Sequence, residues 1–290
     1  MALNRNSNVY TVIYATVLTV LVAVLLSAAA LGLKDQQKKN TDNEKKQQIL
    51  MAVQSKLDET VTFENAGDVW SKLNMDENTY YVNHEGEIVD GEVNPFEVSA
   101  KTLFSQGMVK EDALLPLYRA EVGENTYYIM TMYGAGLWGP IWGYIAVDAE
   151  GNVAGCSFDH DSETAGLGAK IKDDPAFAAS FIGKNIYTDG EFTSVSVVKA
   201  GKAATYGGEK VDAITGATKT SDCVSVMVYE SLKGYVPFLK SLKGEGSCCQ
   251  KGEGCCGKCG EGSCCQADSC MMDSCMMDSC KMAECPNKAE

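Results

Sequence analysis

The pattern of apolar positions first predicts a membrane-spanning helix near the start of the chain. Residues 6–33 carry no charge, and residues 9–33 are almost entirely apolar or small. Because a bilayer core needs roughly 20 such residues in helical form, we predict a transmembrane helix over 9–33, preceded by a short segment, 1–8. A secretion signal cleaved after 28–30 is the alternative, but the apolar run is longer than the usual ~7–15-residue signal core.

The segment that follows, 34–60, predicts a helical stalk that continues from the membrane. It is charged and Gln-rich at first, and apolar residues then return at helical spacing: Ile49, Leu50, Val53 and Leu57. Such a stripe can pack against a partner. The charged composition makes a solvated linker the simpler expectation.

Short β-favouring runs and one long helical run predict an α+β domain over 61–243, with a mainly antiparallel sheet flanked by helices. The strand signals are a hairpin and a three-stranded meander, found at 79–82 with 87–89, and at 126–132, 141–147 and 153–158. A short helix is predicted at 177–181 and a further strand at 192–198. Apolar spacing over 224–239 predicts a helix that begins near Ser221.

Two loops carry the most unusual composition. Residues 134–143 contain four glycines, one proline, Trp138 and Trp142, so the tryptophans either pack under a long connection or form a wall against a ligand or partner. Residues 212–220 precede the predicted helix, where free backbone N–H groups and the helix dipole suit a phosphate. Gly216 and Ala217 would let a bulky group approach the main chain. From spacing alone, an ordinary Ser/Thr-rich N-cap is the simpler interpretation.

Three motifs at separate places along the chain resemble known sequences. The nonapeptide Asp212-x-x-Thr-Gly-Ala-Thr-x-Thr220 resembles the flavinylation motif of the FMN-binding domain family. Residues 163–168 resemble its Glu-Thr-Pro-Gly-Leu-Gly loop, with Ala165 in place of proline, and 134–138 resemble a Gly-x-Gly-Leu-Trp segment. Together with the single uncharged span, these motifs resemble the family of C subunits of sodium-pumping NADH:quinone oxidoreductases over roughly 9–242.

The resemblance implies a covalent FMN, joined by its phosphate to the Thr218 hydroxyl by a flavin transferase that uses FAD. It implies no catalytic residue in this chain. Asp212 would help the transferase, although a solvated loop acid is an equal alternative. The other implied cofactor neighbours are Thr215, Gly216, Ala217, Thr220, Glu163, Thr164, Gly166, Leu167, Gly168 and Trp138.

The resemblance also implies a function and a location. The chain would be the electron-relaying subunit of a complex of six subunits in the inner membrane, which oxidises NADH, reduces ubiquinone and pumps Na⁺ out of the cytoplasm. Its flavin domain would lie on the periplasmic side, whereas the lysines after the predicted span favour a cytoplasmic domain by the positive-inside rule. The alternatives are a G-type subunit of the related ferredoxin:NAD electron transport complex, and a membrane-tethered metal-binding or scaffold protein.

Composition narrows the remaining possibilities. A net charge of -14 without basic clusters argues against nucleic acid as a partner, and two histidines leave little for haem or His-based metal sites. Eleven of the 13 cysteines lie in 244–290, a low-complexity segment without core-forming residues, which we predict to be a disordered tail. Its thiols at Cys255, Cys256 and Cys259 form only a weak candidate for a soft metal. Cys156 and Cys223 are predicted to be packing residues.

Overall fold

A computed structural model describes residues 8–105, 108–110, 112–247, 249–251 and 263–265. The helices are α1 (Asn8–Met51), α2 (Ala66–Lys72), α3 (Ala100–Leu103), α4 (Lys170–Asp173), α5 (Pro175–Ala179), α6 (Ala203–Tyr206) and α7 (Thr218–Ser247), with short 3-10 turns at Gln54–Lys56 and Pro95–Glu97. The strands are β1 (Thr79–Val82), β2 (Ile88–Val89), β3 (Phe104–Ser105), β4 (Met108–Val109), β5 (Leu115–Val122), β6 (Asn125–Ala135), β7 (Pro140–Val147), β8 (Val153–His160), β9 (Tyr187–Thr188), β10 (Glu191–Phe192), β11 (Ser196–Val198), β12 (Lys210–Asp212), β13 (Cys249–Lys251) and β14 (Ser263–Cys265).

The Cys-rich tail is described only in part. Beyond the end of α7, β13 and β14 pair in antiparallel fashion. Cys255, Cys256 and Cys259 lie outside the described residues, so the predicted disorder and the candidate thiol site of the tail stay predictions.

The predicted membrane helix and stalk form one helix. α1 runs without interruption for 44 residues, which at 1.5 Å per residue is about 66 Å. It is long and apolar enough to cross a membrane, and it lies near the N-terminus. The far end of α1 enters the folded domain, because Ile49, Leu50 and the following Ala52 and Val53 are fully buried. These residues are therefore core residues and not part of a solvated linker, while the boundary between 60 and 61 stays a prediction.

The centre of the domain is a six-stranded antiparallel sheet in the order β2-β1-β5-β6-β7-β8. It confirms the predicted hairpin and meander. Successive residues of β6 point to opposite faces: Ile129 packs with the end of α1 and with Trp70 of α2, whereas Met130 packs with α7. The α+β class is thus confirmed, and the sheet lies between the membrane helix on one face and α7 on the other.

Helix α7 also binds the part of β6 that, among the described residues, has no neighbouring strand on its β5 side. β6 continues for five residues past Met130, where its pairing with β5 ends. There the backbone N–H of Thr131 donates to the Tyr235 hydroxyl, and that of Tyr133 donates to Ser231 Oγ, both at 3.2 Å. The Tyr235 hydroxyl donates in turn to the Pro116 carbonyl at 2.7 Å. Side chains of α7 therefore occupy the place of a missing strand and fix the position of the helix on the sheet.

Three element boundaries differ from the sequence prediction. α7 begins at Thr218 rather than near Ser221, because Ser221 N–H already bonds the Ala217 carbonyl. Strands extend into the predicted 134–143 loop from both sides, so only 136–139 connect β6 to β7. The predicted strand at 192–198 is broken at Ser194, whose φ of 62° lies in the left-handed region.

The buried end of α1 gives the domain a pH-dependent term. Lys45 Nζ donates to the carbonyls of Phe96 and Val98, and burial lowers the pKa of Lys45 to about 8, against the opposing influence of Asp42 and Glu97. Between about pH 8 and 10.5 the unfolded chain holds this proton and the folded chain does not, so the free energy of unfolding should rise with pH. At 1.36 kcal/mol per pKa unit, the rise should reach roughly 3 kcal/mol.

Denaturation of the detergent-solubilised chain, followed by tryptophan fluorescence between about pH 7 and 11, would measure this rise. The Lys45→Met variant should lack it, since methionine removes the titrating group and keeps an apolar stem of similar length. Parallel stability curves for the two proteins would contradict the assignment.

Candidate functional site

A buried serine shapes the loop before α7 and leaves Thr218 exposed. Ser221 is fully buried; its hydroxyl donates to the Ala217 carbonyl at 2.9 Å and accepts from the Ile214 N–H at 3.1 Å. Gly216 has a φ of 84°, which glycine adopts at little cost, so the chain turns sharply there. The result is a compact turn over 213–217, with Thr218 exposed as the first residue of the helix.

The start of α7 suits a phosphate group. N–H groups in the first turn of a helix have no intrahelical acceptor, and the helix dipole adds positive potential there. The side chains of Thr215, Thr218 and Lys219 are exposed around this turn. A Cβ added to Gly216 would lie 3.1 Å from Leu167 Cδ2, so the 163–168 loop borders the same spot.

One carboxylate joins the three motifs. Glu163 is only 6% exposed. Its Oε1 accepts the backbone N–H groups of Leu137 and Trp138 at 2.7 and 2.9 Å, and its Oε2 accepts the hydroxyl of Thr220 at 2.8 Å. Since all three partners are donors, the ionised carboxylate satisfies each of them. Glu163, predicted as a cofactor neighbour, therefore braces the loops around Thr218 from inside.

Two glycines make room for this carboxylate. A Cβ on Gly136 would lie 2.5 Å from Glu163 Oε1, and a Cβ on Gly168 would lie 2.4 Å from Glu163 Oε2 and 2.8 Å from Thr220 Oγ1. Neither glycine has a positive φ, so close approach is the reason for both. Gly168 is thus a packing requirement of the brace.

The 163–168 loop keeps its turn without the proline of the family pattern. The Thr164 carbonyl accepts the N–H groups of Leu167 and Ala169, each at 3.1 Å, and Gly166 has a φ of 75°. These bonds and the left-handed glycine set the turn in which Ala165 stands. Thr164, Gly166 and Leu167 are exposed on its outer side.

Exposed apolar side chains lie beside the helix start. Leu137, Trp138 and Leu167 are 51%, 67% and 44% exposed. We call these three residues the apolar rim. Their backbones are held by the Glu163 brace or by the loop turn, so the side chains stay presented to solvent. Trp138 does not pack under the loop, and Trp142 is half-buried on β7. An apolar ring system could stack or pack against this rim.

Asp212 serves a different segment. Its Oδ1 accepts the backbone N–H groups of Lys202 and Ala203 at 2.8 and 2.9 Å. It therefore ties the start of α6 to the end of β12, just before the Thr218 turn. This bonding gives the side chain a structural role that the sequence interpretation did not include.

Three further residues make contacts that the sequence analysis did not predict. They are Ser221, Ser162, whose hydroxyl donates to the Trp138 carbonyl at 3.1 Å, and His160, whose Nδ1 accepts the Glu163 N–H at 3.3 Å. The only signal for Ser162 is the glycine opposite it, because a Cβ on Gly139 would lie 2.2 Å from its Oγ.

Cys156 is buried, and burial raises the pKa of its thiol; Cys223 is half-buried. Within the described ranges, no group of three or more His, Cys, Asp or Glu residues could hold a metal.

The residues present fit a phosphorylated aromatic cofactor. An exposed hydroxyl lies at a helix N-terminus, a left-handed glycine opens the approach to the main chain, and an apolar rim lies alongside. The helix start offers contacts for the phosphate of a flavin nucleotide, and the apolar rim offers contacts for its ring system.

Comparison with known proteins identifies close similarities. The family described as FMN-binding domain matches residues 136–233, which include all three motifs except the first two residues of the Gly-x-Gly-Leu-Trp segment. The chain is similar to the C subunit of the Na⁺-translocating NADH-quinone reductase of Vibrio anguillarum, with 28% identity over 264 residues, 85% of this chain and 99% of the relative. It is 29% identical over 268 residues to the corresponding protein of Vibrio alginolyticus, covering 84% and 98%.

Solved structures show the same relationship. The crystal structure of the C subunit from Parabacteroides distasonis is 40% identical, covers 71% of this chain and 96% of that chain, and superposes with a TM-score of 0.62. The Shewanella oneidensis NqrC structure covers 71% and 99% with a TM-score of 0.54; at 22% identity it supports the fold alone.

The Glu163 brace predicts a specific steric sensitivity. Gly168→Ala would drive a Cβ into Glu163 Oε2, so the free energy of unfolding should fall by about 2 kcal/mol or more through lost hydrogen bonds and overpacking. Gly67→Ala in α2 is the matched control, since its nearest neighbour would be 3.8 Å away. The control should be neutral or more stable by up to about 1 kcal/mol. Equal unfolding midpoints for the two variants would contradict the brace.

Proposed function

The chain belongs to the family of C subunits of Na⁺-translocating NADH-quinone reductases, and we propose that it carries its FMN as a phosphoester on Thr218. It is thus a flavin-carrying subunit of such a reductase, anchored to the membrane by α1. The observation that supports the attachment site is the exposed hydroxyl at the first residue of a long helix, two residues after the left-handed Gly216.

Exposure separates Thr218 from most neighbouring hydroxyls. Thr220 is 2% exposed and donates to Glu163, and Ser221 is fully buried and bonded to the Ala217 carbonyl. Esterifying either one would break the turn that positions the helix. Of the exposed pair, Thr215 lies within the turn, whereas Thr218 lies on the helix and matches the esterified threonine of the family motif. Thr218 is therefore the residue we assign.

The surrounding residues would then divide the work of binding. First-turn N–H groups of α7 would neutralise the phosphodiester charge, and Gly216 with Ala217 would keep the approach open. Leu137, Trp138 and Leu167 would contact the ring system, with Thr164 at its edge. Bound FMN would supply electron-transfer chemistry, while this chain fixes its position and prevents its loss.

Attachment would proceed by group transfer from FAD. The Thr218 oxygen would form a new bond to the FMN phosphorus, the pyrophosphate bond of FAD would break, and AMP would leave with the balance of the charge and proton. A flavin transferase would supply this catalysis. Asp212 lies six residues before Thr218 and is exposed, so it remains available to such an enzyme while its Oδ1 holds the start of α6.

We further propose that the domain lies on the periplasmic side of the inner membrane, where it relays electrons within a complex of six subunits. The complex would oxidise NADH, reduce ubiquinone and move Na⁺ out of the cytoplasm. Lys34, Lys38 and Lys39 follow the apolar span and oppose this orientation by charge alone. Protease digestion of right-side-out vesicles should therefore cleave the domain, and inside-out vesicles should protect it. The reverse pattern would refute the orientation.

Covalent attachment predicts a simple gel result. Chain expressed with the flavin transferase should give a fluorescent flavin band after denaturing electrophoresis, because a covalent flavin alone survives denaturation. Thr218→Ala should lose the band, whereas Thr215→Ala, which removes the neighbouring exposed hydroxyl, should keep it. Mass spectrometry of the tryptic fragment should place the added mass on Thr218. A band of wild-type intensity in Thr218→Ala would refute the site.

A further inference from the structure

Partly buried polar contacts join the membrane helix to the FMN-binding domain. α1 runs unbroken from Asn8 to Met51, and Gln48 lies on its last full turn. Gln48 Nε2 donates to Asp159 Oδ2 at 2.6 Å, and the Gln48 carbonyl accepts the hydroxyl of Ser157 at 2.7 Å. Asp159 and Ser157 are both on β8, so side chain and backbone of one helical residue are bound to the same strand.

Asp159 is a buried charge with converging donors. It is 5% exposed, forms an ion pair with Lys172 of α4 at 2.8 Å, and accepts the His160 N–H at 2.8 Å. A buried carboxylate is tolerated only when such partners compensate for its lost hydration. Loss of the Gln48 contact would remove one donor from Asp159 Oδ2. Because this donor belongs to Gln48, the contact is specific for one position of the helix against β8.

Other contacts restrain α1 against further parts of the domain. Lys45 Nζ donates to the carbonyls of Phe96 and Val98, and Lys46 Nζ lies 5.4 Å from the centre of the Trp70 ring. At the end of the helix, a Cβ added to Gly155 would lie 2.7 Å from the Ala52 carbonyl oxygen, so helix and β8 are in close contact. The restraints thus come from three parts of the domain: β8, segment 94–98 and α2.

The same strand leads to the candidate flavin site. β8 ends at His160, one residue after Asp159, and Glu163 follows three residues later to brace the loops around Thr218. Only three residues therefore lie between the carboxylate that binds the membrane helix and the carboxylate that binds the start of α7.

We propose that Asp159 is a positioning residue that fixes the angle between the membrane helix and the flavin domain, so that the two move as one rigid body. The consequence for electron transfer rests on the proposed function: the flavin would approach a neighbouring redox centre by movement of the whole helix and domain, or of the partner, and not by bending at residues 48–53. The rigid connection itself does not depend on the flavin.

Pulsed electron paramagnetic resonance on the full chain in lipid nanodiscs tests the proposal. Spin labels on genetically encoded non-natural residues at Asp35 and Glu124, both exposed, avoid the 13 cysteines. Asp35 lies 13 residues before Gln48, about 20 Å along the helix, so a pivot of 10° would move its label by about 3 Å. The wild-type chain should give one narrow distance distribution.

A nearly isosteric change isolates the contact. Gln48→Glu places a second carboxylate against Asp159 and should broaden the distribution or shift it by several ångströms. Gln47→Glu makes the same charge change one residue away and should match the wild type. Gln48→Ala, which removes the donor without adding charge, should broaden the distribution as well and serves if Gln48→Glu does not fold.

The outcomes separate the two proposals. A broad wild-type distribution, or Gln48 variants that match the wild type, would overturn the role of Asp159. Circular dichroism and the flavin band of each variant report whether the domain is intact. If the wild-type chain expressed with the flavin transferase showed no flavin band, the attachment to Thr218 would be refuted. The distance measurement would still test the role of Asp159.

Discussion

The carboxylate of Glu163 is the interaction on which the candidate site depends. It lies where the β6–β7 connection, the loop after β8 and the start of α7 meet, and it accepts a hydrogen bond from two of these segments while belonging to the third. The three segments are far apart in sequence, and this shared acceptor holds them in one arrangement. Gly136 and Gly168 are glycine because this carboxylate needs the space that a Cβ would occupy.

Helix α7 transmits the order of the sheet to the site. Its Ser231 and Tyr235 hydroxyls accept backbone N–H groups of β6 that have no strand partner on that side, and its apolar face fills one half of the core. A helix held at so many points along its length has a fixed N-terminus. The position of Thr218 is thus set by contacts with the sheet several turns away, and not only by the motif around it.

The opposite face of the sheet receives the membrane helix, which gives the fold a direction. Ile49 and Leu50 share a core with Trp70, Tyr118 and Ile129, so the anchor is part of the folded domain. The proposed flavin site and the anchor lie on two elements that sandwich one sheet. Such an arrangement suits a protein whose task is to hold a cofactor at a defined place relative to a membrane.

Several main elements and the chemistry of the motifs could be predicted from the sequence, whereas the strand β5 and the helix α2 were not. A long uncharged segment predicted the membrane helix, β-favouring runs predicted the meander, and helical spacing predicted α7. These patterns depend on local geometry and on the burial of one face. The resemblance of three motifs indicated FMN and Thr218. Three roles became apparent only in the folded chain: Glu163 is a buried brace, Asp212 binds the start of α6, and the stalk end belongs to the core. These roles depend on partners 9 to 111 residues away in sequence, and no local pattern records which distant segment a side chain will meet.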